Sequence, residues 1–414
     1  MKNNSTITVI GYMVLFIFLT NSCNTKYNLP LNVIPLANTV GRYDILNLSD
    51  FATEIKYIPL ETNDSTLIGT IGQIRCENGK ILVLHSNACH LFDISGKIYR
   101  KLGQLGQGPD DYLHLLNVGM HENFIFIHDS HKLLIYNTNG DLVENIKLRT
   151  EVNPVFTEHG SFRIIPLKKD TFIMDVVSMI GTYPNAILFE TNHSVLKLIK
   201  EYPNYVKIDK LRGGIHGIEM GILYRYKDEI RLYKGINDTI FTIGQNLEMK
   251  GAFVFESGKY RIPLSFIERK EGEWQSDYRK KFIWPRPVCE SLNHLFISFD
   301  FGNHAPEPFE FISSRSGSTV INDYVCSVFD KRTGALTLMR QPIKGKLGFK
   351  NDIDGGPVIW PKYISSENEL VTYIQPEEFM EYYNKLTTPS AALREIAENI
   401  SPFDNPIVIV AKLK

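Results

Sequence analysis

The sequence predicts an all-β fold: a six-bladed β-propeller of four-stranded antiparallel blades, closed by strands from the two ends of the chain. Three observations predict it. A paired strand-and-turn pattern recurs six times, one strand is left over at the start of the repeats and one is missing at their end, and the 414 residues include 20 Tyr and 24 Phe. Aromatic and β-branched side chains suit a pleated sheet.

The first half of the pattern is a tight polar turn followed by a short apolar strand. It reads NGKILVLH at 78–85, ENFIFIHD at 122–129, KKDTFIMD at 168–175, KDEIRLYK at 227–234, LNHLFISFD at 292–300 and ENELVTYIQ at 367–375. The strands begin at Ile81, Phe124, Thr171, Ile230, Leu295 and Leu370, so the intervals are 43, 47, 59, 65 and 75 residues. A second apolar strand follows each copy, often closing in a Gly or Asn turn: HLFDISGK (90–97), LLIYNTNGD (133–141), AILFETNHS (186–194), TIFTIGQN (239–246), VCSVFDKRTG (325–334) and PIVIVAKLK (406–414). Asn-Gly, Ser-Gly and Thr-Gly steps between apolar runs are hairpin signals. A four-strand unit repeated at about this length is the signature of a propeller.

With strands lettered A to D from the axis outwards, the two patterns are strands B and C. IGQIRC (71–76) and RIIPLKK (163–169) are examples of A, and IYRKLG (98–103) and VENIKL (143–148) of D. The sixth unit lacks a D strand, and IKYIPLET (55–62) precedes the first A strand without a unit of its own. It can complete the last blade and remove the ring's open edges. Two separate β-sandwiches are the competing arrangement, and they leave the matched surplus and deficit unexplained.

The organisation along the chain follows: a leader at 1–23, a linker at 24–50 and one propeller at 51–414. Lys2 and the apolar run at 7–20 have the length of a secretory signal rather than of a membrane span of about 20 residues. The sequence LTNSC at 19–23 resembles a bacterial lipoprotein signal, in which Cys23 becomes the lipidated N-terminus. It departs from that pattern at Thr20, where Leu is usual, and agrees at Ser22. Acyl chains contribute roughly 0.8 kcal/mol per buried CH₂, so such an anchor ties the chain to a membrane. No acidic cluster follows at Asn24, Thr25 and Lys26, which points to a periplasm-facing position in the cell envelope.

Charge excludes one class of partner. With 45 basic and 46 acidic residues and a net charge of −1, nothing suggests a nucleic-acid groove or a polybasic membrane patch. Four cysteines lie beyond Cys23. Cys76 and Cys89 are separated by a strand of about 17 Å, too far for a disulfide and therefore expected as buried thiols. A Cys289–Cys326 pair stays open, and no Cys/His spacing suggests zinc.

The segments YIPLET (57–62), GQLGQGPDDY (103–112), NDTIFTI (237–243), DKRTG (330–334), NDIDGGPVIWP (351–361) and NPIVIVAKLK (405–414) carry a family likeness. Through them the chain resembles the six-bladed β-propeller lipoproteins abundant in Bacteroidota, related in architecture to NHL-repeat propellers. That family usually shows a Gly-x-Gly-Pro-Gly-Glu-Tyr-like string after the first blade; here Asp110 and Asp111 replace Gly and Glu. The resemblance implies the fold and export, and little about activity.

Strands alternate in direction, so A–B and C–D turns lie on one face and B–C and D–A connections on the other. The short turns belong to the first face. The long segments 103–114, 210–221, 265–287, 301–323 and 351–357 fall on the second, with a short helical insertion near residues 376–400. Loops of this length in a compact domain are usually functional or disordered. The B strands end there at His85, His128, Asp175, Lys234, Asp300 and Gln375, equivalent positions that predict a polar ring, with Asp129 beside His128 and with Gln107, Asp110 and Asp111 on the first long loop. Ordinary strand-end polarity explains the same residues. A metal site needs three or more converging ligands. Asp352 and Asp354 resemble half of a calcium loop, but the downstream Glu is absent and Asx turns suffice. Gly103, Gly106 and Gly108 lack the Gly-Lys-Ser/Thr ending of a phosphate loop.

These features predict a non-catalytic binding module without a cofactor, presenting its long-loop face to a glycan, a peptide or a partner protein. The alternative is a metal-assisted propeller enzyme, of lyase or lactonase type, using the polar ring at the central channel.

Overall fold

A computed structural model describes residues 32–64, 66–148, 163–176, 184–192, 195–205, 221–235, 237–263, 276–312 and 317–414. The leader and Cys23 lie outside these residues, as do 210–220 and parts of the long loops at 265–287 and 301–323.

Six four-stranded antiparallel sheets follow one another along the chain. Blade 1 is built from Ile71–Glu77, Lys80–His85, Ala88–Asp93 and Ile98–Lys101, and blade 2 from Leu115–His121, Phe124–Asp129, Lys132–Asn137 and Leu142–Lys147. Blade 3 takes Ile164–Lys168, Thr171–Asp175, Ala186–Asn192 and Val195–Tyr202; blade 4 takes Ile222–Tyr226, Glu229–Tyr233, Thr239–Ile243 and Met249–Phe255. Trp284–Glu290, His294–Asp300, Tyr324–Asp330 and Leu336–Met339 form blade 5. Blade 6 combines Tyr363–Ile364, Glu369–Ile374 and Ile407–Leu413 with Ala52–Pro59 from the other end of the chain. The register of that closure runs from Ala52 opposite Leu413 to Pro59 opposite Ile407. The A strands of consecutive blades touch one another all the way round, including blade 6 against blade 1, so the sheets form a closed ring.

The core is divided accordingly. One apolar cluster fills each of the six seams between neighbouring blades. Every blade is thus covered on both faces, which is why its B strand is mostly buried rather than alternating; all six residues of Phe124–Asp129 are buried. The D strand of blade 3, Val195–Tyr202, is outermost in its sheet among the described residues and exposes more. The A–B turns are tight: Asn78 and Gly79 carry φ of +52° and +70°, the left-handed backbone that the predicted Asn-Gly turn requires.

Polar contacts tie two of the seams. Glu290 ends the A strand of blade 5 with no exposed side-chain surface, and it accepts from Tyr224 of blade 4 at 3.0 Å, Arg231 at 3.0 Å and Lys331 at 3.0 Å. Glu77, ending the A strand of blade 1, accepts from Tyr363 of blade 6 at 2.5 Å and from the Ser366 amide at 2.9 Å. In both, an A-strand tyrosine bonds a glutamate that closes the next A strand.

From Asn32 onwards the stretch expected as a linker lies against the blades. Asn32–Ile34 pairs in parallel with Phe253–Phe255 on the outer edge of blade 4, and Tyr43–Asp44 with Leu338–Met339 on that of blade 5. Ile34 and Leu36 are fully buried there, so the segment is held by apolar burial that strands of three and two residues do not announce. The four cysteines beyond Cys23 are free thiols, Cys76, Cys89 and Cys326 buried and Cys289 half-buried. The insertion in blade 6 forms two helices, α1 (Pro376–Tyr383) and α2 (Ala391–Asn399). No helix of the described residues is long and apolar enough to cross a membrane.

Candidate functional site

The B strands end where the repeat places them, but their last side chains are not displayed. His85, His128, Asp175 and Lys234 are 0–7% exposed, and only Asp300 and Gln375 are half-buried. The reason is the B strand's place, second from the axis and covered by neighbouring blades on both sides. Its terminal side chains therefore pack into seams and under loops. His85 Nε2 lies 3.0 Å from His90 Nδ1, with the rings stacked. Lys234 Nζ donates to the Val176 carbonyl of the preceding blade at 2.8 Å. Asp175 accepts the Arg163 amide at 2.9 Å. Burial pushes the His128 imidazole down to about 4, outweighing the opposing pull of the Asp175 and Asp129 charges. Asp129 accepts the Leu113 amide at 2.5 Å and the His131 amide at 2.7 Å, which fastens the loop between blades 1 and 2 to the B–C turn of blade 2.

Gln107 and Asp110 are exposed on that loop. Asp111 turns inward and accepts the Gly108 amide at 2.7 Å. A Cβ on Gly106 or Gly108 would stand 2.4 or 2.7 Å from the Asp111 carboxylate. A side chain at either glycine would therefore displace the Asp111 carboxylate from this turn. The NDIDGG loop is likewise occupied with itself. Asp352 accepts from Ser49 N at 2.9 Å and Ser49 Oγ at 2.6 Å; Asp354 Oδ1 accepts from Asn351 at 2.8 Å, Gly356 N at 3.0 Å and Tyr57 at 3.2 Å. Among the described residues, no three His, Cys, Asp or Glu side chains converge as a metal site requires.

One of the predicted residues does border open space. Asp300 lies in a cleft of about 300 Å³ on the long-loop face, lined also by Arg279, Lys280, Arg286, Phe311, Val320, Ile321, Asn322, Asp323 and Tyr324. The D–A connection before blade 5 brings the helical turn Ser276–Arg279, the A strand brings Arg286, and the B–C connection brings a hairpin, Phe309–Ile312 paired with Thr319–Asn322. Arg279 Nη2 and Arg286 Nη2 each stand 2.8 Å from the same oxygen, Asp300 Oδ2. Arg279 also lies over the Trp284 ring, 5.2 Å from its centroid. Burial and the neighbouring Asp300 charge raise the Asp323 carboxyl. Phe311, Val320, Ile321 and Tyr324, 40–54% exposed, line the same cleft. The combination of apolar and cationic lining suits holding and orienting a ligand, and among the described residues no His, Cys or Ser lines it.

Sequence reading reaches Asp300 and the loops but not Arg279, Lys280 or Arg286. The available signal is the basic, aromatic composition of RKKFIWPRP at 279–287.

A family model described as "Domain of unknown function (DUF4934)" matches residues 31–412. The chain is similar to the crystal structure of a protein of Bacteroides fragilis described as exported, at 18% identity and a TM-score of 0.67, covering 92% of this chain and 99% of that one. A member of the DUF4221 family from Bacteroides vulgatus aligns at 13% identity and a TM-score of 0.50, covering 88% and 97%. At these identities the likeness is one of fold. No protein of curated function matches the sequence.

Proposed function

On the premise that the chain belongs to the DUF4934 family, we propose that it is an exported, lipid-anchored binding module that takes its ligand on the long-loop face, in the cleft of blade 5. The observation that carries this reading is the asymmetry of the ring. The A–B and C–D turns are short, whereas the long connections and the cleft at Asp300 share one face. Propellers decorated on one side use that side for recognition because the scaffold is rigid and the loops are free to vary.

Export and anchoring are supported by the apolar leader that ends in Cys23 and by the likeness to an exported Bacteroides protein. Membrane attachment through acylated Cys23, facing the periplasm, leaves the propeller free to present its cleft to a glycan, a peptide or a partner protein.

The test is binding by the full chain, purified from membranes in detergent, to panels of oligosaccharides and peptides. Binding that falls at least about tenfold in Arg279→Gln or Arg286→Gln, without loss of folding, supports the reading. Ligands that bind with equal affinity to both variants, or a ligand turned over catalytically, overturn it. Cells carrying Cys23→Ala check the anchor: the protein is expected to leave the membrane fraction.

A further inference from the structure

Among the described residues, the hairpin beside the cleft has a free edge: Thr319–Asn322 pairs with Phe309–Ile312 on one side and with no described strand on the other. Val320, Ile321 and Asn322 are consecutive and all line the cleft. Side chains of a strand point alternately to opposite faces. Residues of both parities therefore reach one space, which turns the strand's backbone towards it, while Phe311, paired opposite Val320, borders it too. Proteins usually blunt such edges. This one is flanked instead by apolar surface, with Ile321 54% and Ile312 74% exposed. A hairpin of two strands is marginal alone and gains from a third.

The cationic lining calls for an anion. Arg279 and Arg286 each make one hydrogen bond among the described residues, and both bonds go to a single oxygen of Asp300. A guanidinium has five N–H donors. Arg286 Nε is buried without a partner. With Lys280, the described lining of the cleft holds three cations against Asp300 and Asp323, an excess of one positive charge.

We propose that the cleft binds an extended acidic peptide segment of a partner protein, which adds as a third strand to the edge of Thr319–Asn322 and places carboxylates on Arg279 and Arg286. The inference rests on the binding reading above. Main-chain pairing supplies attachment, and alternate side chains supply selectivity, as in other strand-addition sites. Acidic residues two apart meet the cations, and the residues between them meet Phe311, Val320 and Tyr324.

The probe is a blocked hexapeptide, Glu-Val-Glu-Val-Glu-Val, titrated into the full chain by calorimetry. Its lysine counterpart and two forms N-methylated at alternate residues serve as comparisons. The acidic peptide is expected to bind, to weaken by about tenfold or more in Arg279→Gln and in Arg286→Gln, and to lose binding in one of the two N-methylated forms. Thermal unfolding of each variant, at the wild-type midpoint, shows that the loss is not misfolding. Equal binding of the lysine peptide, undiminished binding of both N-methylated forms, or no binding of the acidic peptide to folded protein overturns the proposal. A hexuronate oligosaccharide that binds with the same arginine dependence, where the peptide does not, also overturns it and leaves the binding-module reading standing.

Discussion

His128 shows how far a residue's type is from its role. Its place at the end of a repeated strand is visible in the sequence, but the direction of its side chain is not, because strand order does not tell which neighbour covers it. At 2% exposure its ring is kept neutral, with the ionisation pushed from 6.5 down to about 4. His90 is held down to about 4 in the same way, first by burial and then by His85. The sign of the pH effect follows. The unfolded chain takes up a proton at each histidine as pH falls through 6.5, and the folded chain does not until about 4. Stability is therefore complete above pH 6.5 and declines between 6.5 and 4. The shift of His128 alone corresponds to a loss on the order of 3 kcal/mol. Thermal midpoints are expected to drop across that window, and more gently in His128→Gln; a wild-type midpoint that stays flat from pH 7 to pH 4 contradicts this.

Elements are most legible where two signals agree. Asn-Gly and Ser-Gly turns between apolar runs place the hairpins, and the leftover strand at 55–62 matches the strand missing from the last blade. Elements with one weak signal escape. Asn32–Ile34 and Tyr43–Asp44 are too short to show a period, and the hairpin at 309–322 lies inside a segment that reads only as a long loop. The turn at Gly96 joins the two kinds of information. Its φ is +85°, and its carbonyl accepts from Glu61 N at 2.8 Å just beyond the closing strand. A Cβ there would stand 2.1 Å from the Pro59 carbonyl oxygen. Gly96→Ala therefore meets both a strained backbone and a clash that neither strand can relieve cheaply. It is expected to destabilise the fold by well over ~1 kcal/mol, read by urea denaturation, whereas Gly79→Ala, with open space around it, loses less.

At the scale of the molecule, the repeat makes the six blades readable, and the ring explains what the repeat hides. Each seam is an interface between two blades, so its apolar set is drawn from segments far apart in sequence. Ile58, Ile74, Val371 and Val408 meet in one cluster although they span most of the chain. The cleft escapes for the same reason, since Arg279, Asp300 and Val320 come together only through the loops of blade 5. Deleting residues 32–50 removes the short strands on blades 4 and 5 and is expected to lower the unfolding midpoint while leaving a cooperative transition. Deletion through Pro59 removes the fourth strand of blade 6 and is expected to abolish that transition. A truncated chain starting at Leu60 that unfolds as sharply as wild type refutes this.

The closure also sets an order in time. Blades 1 to 5 possess all four of their principal strands as soon as their own stretch of chain has emerged. Blade 6 cannot, because Ile407–Leu413 must slot between Glu369–Ile374 and Ala52–Pro59. Ala52 waits for Leu413, which arrives 361 positions later. During synthesis or passage through a pore, the apolar flanks of blades 1 and 5 stay uncovered until Ile407–Leu413 arrives. This ring is completed by its last-made strand, and a chain halted before Ile407 is left open on both sides of blade 6 rather than slightly shortened.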